Sequence, residues 1–130
     1  MPQLQMRDAL SGFVMVIALA TVALAHHTIG AVYDTMHRIT LSGVIADVEW
    51  KQPHVMIHLN VKNDDGTSIV WDVETQGPLN LKQKGLSQDF AKPGESVTMT
   101  VCVAKDGSRK GWLHEMVSSA GTTSFTAGGC

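Results

Sequence analysis

Arg38-Ile39-Thr40-Leu41-Ser42-Gly43-Val44-Ile45-Ala46-Asp47-Val48-Glu49-Trp50 is the stretch on which the fold turns. Apolar residues stand at Ile39 and Leu41, then at Val44, Ala46, Val48 and Trp50, so the two-residue period of a strand slips by one at Gly43. A one-residue slip at a glycine predicts a β-bulge that bends a long first strand. Gln52-Pro53 ends it. Beyond, Val55, Ile57, Leu59 and Val61 alternate with polar residues as a half-buried second strand. The segment Asn63-Asp64-Asp65-Gly66-Thr67 supplies a hairpin turn, and Ile69, Trp71 and Val73 form the inner face of a third strand. Leucines at 79 and 81 between Gly77 and Gly85, with Leu86 directly after, predict a short helix ending near Gly85. After the Lys92-Pro93-Gly94-Glu95 turn come strand four (Val97, Met99, Val101, Val103) and strand five, Gly111 to Ser119, joined through Lys105-Asp106-Gly107-Ser108. Three strands, a helix and two strands, the first strand bent, is the order of a small five-stranded OB-like barrel, an all-β fold with one short helix. A twisted β-meander with one packed helix is the alternative. The bulge favours closure, because a closed sheet needs its strands to bend.

Upstream, Ala9 to Ala25 is apolar except for Ser11, Gly12 and Thr21, and Ala23 and Ala25 are the small residues a signal peptidase reads. The expected organisation is a secretory signal peptide over residues 1–25 and a leader over 26–37. A barrel domain over 38–119 and a flexible Gly/Ser/Thr-rich tail over 120–130 follow. An uncleaved N-terminal anchor is the competing reading, because Arg7 is offset by Asp8. Once cleaved, the protein would be periplasmic or secreted in a bacterium, with no stable membrane insertion. The part after residue 25 carries nine Lys/Arg and eleven Asp/Glu, the chain's 10 and 12 less Arg7 and Asp8. These signs are interspersed without a basic stripe, which argues against nucleic acid as a partner. Cys102 and Cys130 suit an oxidising compartment and lack a CxxC spacing, and their pairing is left open.

Cleavage after Ala25 would expose an α-amine on His26, beside the imidazoles of His26 and His27. Three nitrogens within two residues form the nucleus of a copper site. His54, Met56 and His58 alternate along the second strand, so they share its polar face, with i and i+2 about 7 Å apart at Cα. An imidazole and thioether set suits copper, Cu(I) above all. The same histidines read equally well as a solvated strand face. His114-x-Met116 repeats the pattern on strand five, and His37 has no spacing partner. The acidic pairs Asp47/Glu49 and Asp72/Glu74 read as solvated faces. No nucleophile elbow, phosphate loop or HExxH helix is present, so an enzyme is not expected.

Ala25-His26-His27-Thr28-Ile29 with Tyr33-Asp34 resembles the AHHSF…YD start of a family of small exported bacterial proteins. Val48-Glu49-Trp50-Lys51-Gln52-Pro53-His54 is similar to its VEWxNPH motif. Lys92-Pro93-Gly94-Glu95 with Ala104-Lys105-Asp106-Gly107-Ser108 is similar to its KPGD…AKDGS segment. The family is a domain of unknown function. The resemblance therefore implies export and a small β-rich domain but no activity, and its motif positions fall on His26, His27, Trp50, Pro53 and His54. Met56 and His58 stand where that family has aromatic residues, and the tail ending in Cys130 has no counterpart there. Two functions follow as expectations. One is copper binding by His26, His27 and His54 with His58 and Met56 as auxiliary donors. The other is a non-metal binding module presenting Trp50, Trp71 or Trp112 to a ligand or a periplasmic protein partner. Oligomeric state is left open.

Overall fold

A computed structural model describes residues 28–119, 124–126 and 130. Helix α1 (Thr28–Val32) precedes β1 (Tyr33–Glu49), β2 (Val55–Lys62) and β3 (Ser68–Thr75). Then come α2 (Pro78–Gln83), a 3-10 turn at Gln88–Phe90, β4 (Ser96–Ala104), β5 (Lys110–Ser118) and β6 (Ser124–Thr126). The chain divides into Met1–Ala31 and a barrel unit, Val32–Cys130. The stretch expected to be a signal peptide, His26 and His27 lie outside the described residues. No helix among the described residues is long and apolar enough to cross a membrane.

The sheet runs β3-β2-β1-β4-β5-β6, and β3 also pairs with β5 in parallel through Asp72↔Lys110, Val73↔Gly111 and Glu74↔Trp112. That pairing closes five strands into a barrel of OB type, with α2 between β3 and β4 as the sequence indicated. Ile45, Ile57, Leu59, Val73, Leu113 and Met116 fill it, each at most 1% exposed. Pro78 opens α2, where its missing N–H is not needed, and Leu81 plugs the core from that helix.

Three expectations change. The phase slip of β1 lies at Ala46, between Ile45 and Asp47, and not at Gly43. Ile39, Leu41, Gly43 and Ile45 all face inward, and Val44 is exposed. Gly43 is there for closeness: a Cβ on it would lie 2.3 Å from the Asn60 carbonyl oxygen. The bulge falls one step past Ile45 because the Lys92–Glu95 turn captures that residue. Gly94 N–H donates to the Ile45 carbonyl at 2.7 Å, and Ile45 N–H donates to the Glu95 carbonyl at 2.9 Å. Secondly, β1 begins at Tyr33, inside the stretch assigned to the leader. Thirdly, the tail is tied at two points: β6 pairs antiparallel with β5, and Cys130 forms a disulfide with Cys102.

Candidate functional site

The strand period that sends Val55, Ile57 and Leu59 into the core sends Met56 and His58 to the outer face, with His54 one residue before the strand. The Asn63–Thr67 hairpin fixes the register, placing Met56 opposite Glu74 and His58 opposite Asp72. On the other side, the β1 bulge turns Glu49 onto the same outer face, opposite Met56. The result is a groove of about 370 Å³ between the β1–β2 loop and the start of β5. Glu49, His54, Met56, His58, Asp72 and Glu74 line it, and Lys51 and Lys110 stand at its margin. This is the place where OB barrels commonly take ligands, on the outer strands 2–3 face beside the loops.

Two histidine–carboxylate sets occupy the groove. His54 Nδ1 lies 2.5 Å from Glu74 Oε1, and Tyr33 donates its hydroxyl to Glu74 Oε2 at 2.5 Å. An ionised carboxylate only accepts, so the neutral imidazole carries its proton on Nδ1 and its lone pair on Nε2. Trp112 backs the pair. It is 1% exposed, meets the His54 ring edge-on at 5.1 Å and 83°, and lies 6.0 Å from the Tyr33 ring. Trp112 and Cys102 are register partners on the outer face of β4–β5, where with Tyr33 and Ala104 they form a small apolar cluster outside the barrel. Burial, the hydrogen bond to Glu74 and the charges of Glu74, Asp106 and Asp72 push the Tyr33 hydroxyl pKa well above its ordinary value.

His58 is held from both sides, Nδ1 by Asp72 at 2.7 Å and Nε2 by Glu49 at 3.1 Å. Burial lowers its pKa, but the two hydrogen bonds and the two negative charges outweigh that and raise it overall. Lys51 and His58 in turn hold the Glu49 carboxyl below its ordinary value. While both nitrogens donate to these carboxylates, the His58 ring has no lone pair free for a metal. Among the described residues no three His, Cys, Asp or Glu side chains gather as a metal group.

The structure therefore brings His54, Met56 and His58 together, as their spacing implied, but gives the two histidines different work. His114 stands at a bulge of β5, its Nδ1 buried and without a partner among the described residues, and does not line this groove. His37 is exposed on β1. Of the carboxylates read as solvated faces, Glu49, Asp72 and Glu74 are histidine partners instead, and Asp47 is exposed. Counting outward from the Asn63–Thr67 turn pairs 58 with 72 and 56 with 74, so that signal was present in the sequence. The tryptophans offered to a ligand are packing residues: Trp112 is buried, Trp50 packs on Phe90 at 5.9 Å between ring centres, and Trp71 packs against the core.

Fold and groove together define a small closed β-barrel of OB type with a histidine–carboxylate face. The chain belongs to a family of unknown function, DUF6152, whose pattern matches residues 14–114. No curated protein matches it. Among solved structures it is similar to the mitochondrial single-stranded DNA binding protein Rim1 of S. cerevisiae. The two share 8% identity over 64% of this chain and 93% of that one, with a TM-score of 0.50. This corrects the exclusion of nucleic acid drawn from charge balance. A barrel of this architecture is the body of that single-stranded DNA binding protein, so nucleic acid is not excluded as a class of partner. At this identity the likeness is one of fold.

Proposed function

We propose that this is an exported copper-binding protein. Its donors are the α-amine and ring of His26, the ring of His27 and Nε2 of His54, with the Met56 thioether auxiliary. The observation that carries the reading is the Glu74–His54 hydrogen bond. A carboxylate on one imidazole nitrogen fixes the tautomer and orientation that leave the other nitrogen as a metal donor. Trp112 and Tyr33 hold that unit from behind, and the carboxylates of the groove favour a cation. Both described cysteines are joined to each other, so the donors are nitrogens and a thioether, a set that suits copper over zinc. The disulfide supports export, as do the apolar run to Ala25 and the small residues Ala23 and Ala25. The described residues do not gather three donors by themselves, so the proposal stands on the N-terminal nitrogens.

Calorimetric and EPR titration with Cu(II) tests it, on protein beginning at His26 and on protein carrying one extra residue before it. Tight one-to-one binding by nitrogen ligands is expected for the first and its loss for the second. In protein with the authentic terminus, Glu74→Gln should weaken binding about tenfold, the scale of a lost outer partner. Equal affinity of the two termini would overturn the reading.

A further inference from the structure

The register of β1 against β4 jumps from Tyr33↔Ala104 to Arg38↔Cys102. Four residues, Asp34 to His37, therefore stand opposite Val103 alone, and the chain bulges away from the sheet. In a regular strand neighbours alternate between faces, but here Met36, His37 and Arg38 are all exposed in succession. Met36 is 93% exposed. Both ends of the bulge are fastened. Tyr33 donates to Glu74, Met36 N–H donates to Asp34 Oδ1 at 3.0 Å, and Arg38 donates to the Cys130 carbonyl. No hydrogen bond or ion pair engages the His37 ring among the described residues.

Methionine belongs among the most buried residue types. Of the four in the described residues, Met99 and Met116 obey that rule at 0% exposure. The two that reach the surface, Met36 and Met56, each sit beside histidine. An apolar side chain left in water contributes nothing to the core, whereas its thioether is a soft ligand there. A thioether next to an imidazole is a poor site for calcium, magnesium or zinc and a good one for a soft monovalent ion. We propose that Met36 and His37 form a second metal site, a two-donor docking point for Cu(I) on the β1 bulge. It is separate from the groove and independent of the N-terminal nitrogens. Arg38 is engaged by Cys130, and Asp34 supplies a compensating negative charge on the same bulge.

The test uses exported protein labelled at the methionine methyl groups and followed by NMR. It is titrated with Ag(I), a redox-silent stand-in for Cu(I), and separately with Zn(II). The Met36 methyl is expected to shift during the first equivalent of Ag(I) and to ignore Zn(II), while Met99 and Met116 stay still. Met36→Leu should remove the Ag(I)-induced shift of the His37 ring resonances, and His37→Gln should weaken the Met36 methyl response about tenfold. Both positions are exposed, so neither variant disturbs the core. A still Met36 methyl would overturn the proposal, as would an unchanged midpoint in His37→Gln. A shift of Met56 alone would also overturn it, while favouring Ag(I) at the groove donors.

Discussion

Glu74 is the residue on which the site depends, because one carboxylate accepts from both Tyr33 and His54. Tyr33 is the chain's single tyrosine, so phenolate absorbance reports on it alone. Its raised pKa means that the folded state keeps the phenol protonated, while the unfolded chain ionises it near pH 10. The stability it contributes is full below about pH 10 and is lost as pH rises toward the folded value. Ultraviolet titration should show no phenolate in native protein until unfolding begins, and Glu74→Gln should bring its onset to lower pH. An ordinary titration near pH 10 in the folded wild type would contradict the geometry. The His58 clamp has the same sign in another window. Its folded pKa is raised, so its contribution is full below about pH 6.5 and fades as pH rises through the folded value. Glu49, lowered by Lys51 and His58, works oppositely and loses its part in acid. His58→Gln should flatten the dependence of melting temperature on pH across neutrality; an unchanged profile would remove the clamp. The histidines were legible as a shared face from their spacing alone. Their division into one open ring and one clamped ring was not, since it depends on which carboxylates the register brings alongside.

At the scale of elements, alternation and the turn residues between runs located the five barrel strands, and the leucine spacing located α2. The error in β1 is instructive because two signals competed there. Gly43 looked like the site of a bulge, but it serves close approach to Asn60, and the bend comes where a distant turn captures Ile45. A long-range backbone contact of that kind leaves no local trace. Gly77 shows the same logic at the edge of the groove: a Cβ there would lie 2.3 Å from the Pro53 carbonyl oxygen. That contact sets the β1–β2 loop, and with it His54, against the start of α2. Gly77→Ala must displace backbone, and should cost about 2–4 kcal/mol in denaturant unfolding. A loss within about 0.5 kcal/mol, the range of ordinary surface changes, would show that the loop yields freely.

For the whole molecule, the question is what holds a barrel of this size shut. The β3–β5 pairing spans three residue pairs, Asp72↔Lys110 to Glu74↔Trp112, and the outer cluster of Tyr33, Cys102, Ala104 and Trp112 covers that seam. Cys130 adds to that cover, which the sequence did not disclose: a Gly/Ser/Thr-rich segment carries no apolar period, and two cysteines far apart do not state their pairing. In the structure Cys130 bonds Cys102 across a separation of 28 residues, its Sγ lies 3.8 Å from the Trp112 carbonyl, and its own carbonyl accepts from Arg38. Cross-linking a loop of that length restricts the unfolded chain by about 3–4 kcal/mol in the chain-entropy treatment, a large share of a small domain's stability. Cys130→Ser should therefore lower unfolding stability by about 2–4 kcal/mol. Because Trp112 backs His54, it should also loosen the groove. Indole fluorescence and exchange at the Trp112 backbone amide should then change together with the His54 ring resonances. A variant that loses stability while those resonances stay fixed would show that the disulfide acts only on the unfolded chain. The histidine site would then owe its form to Glu74 and Tyr33 without the tail.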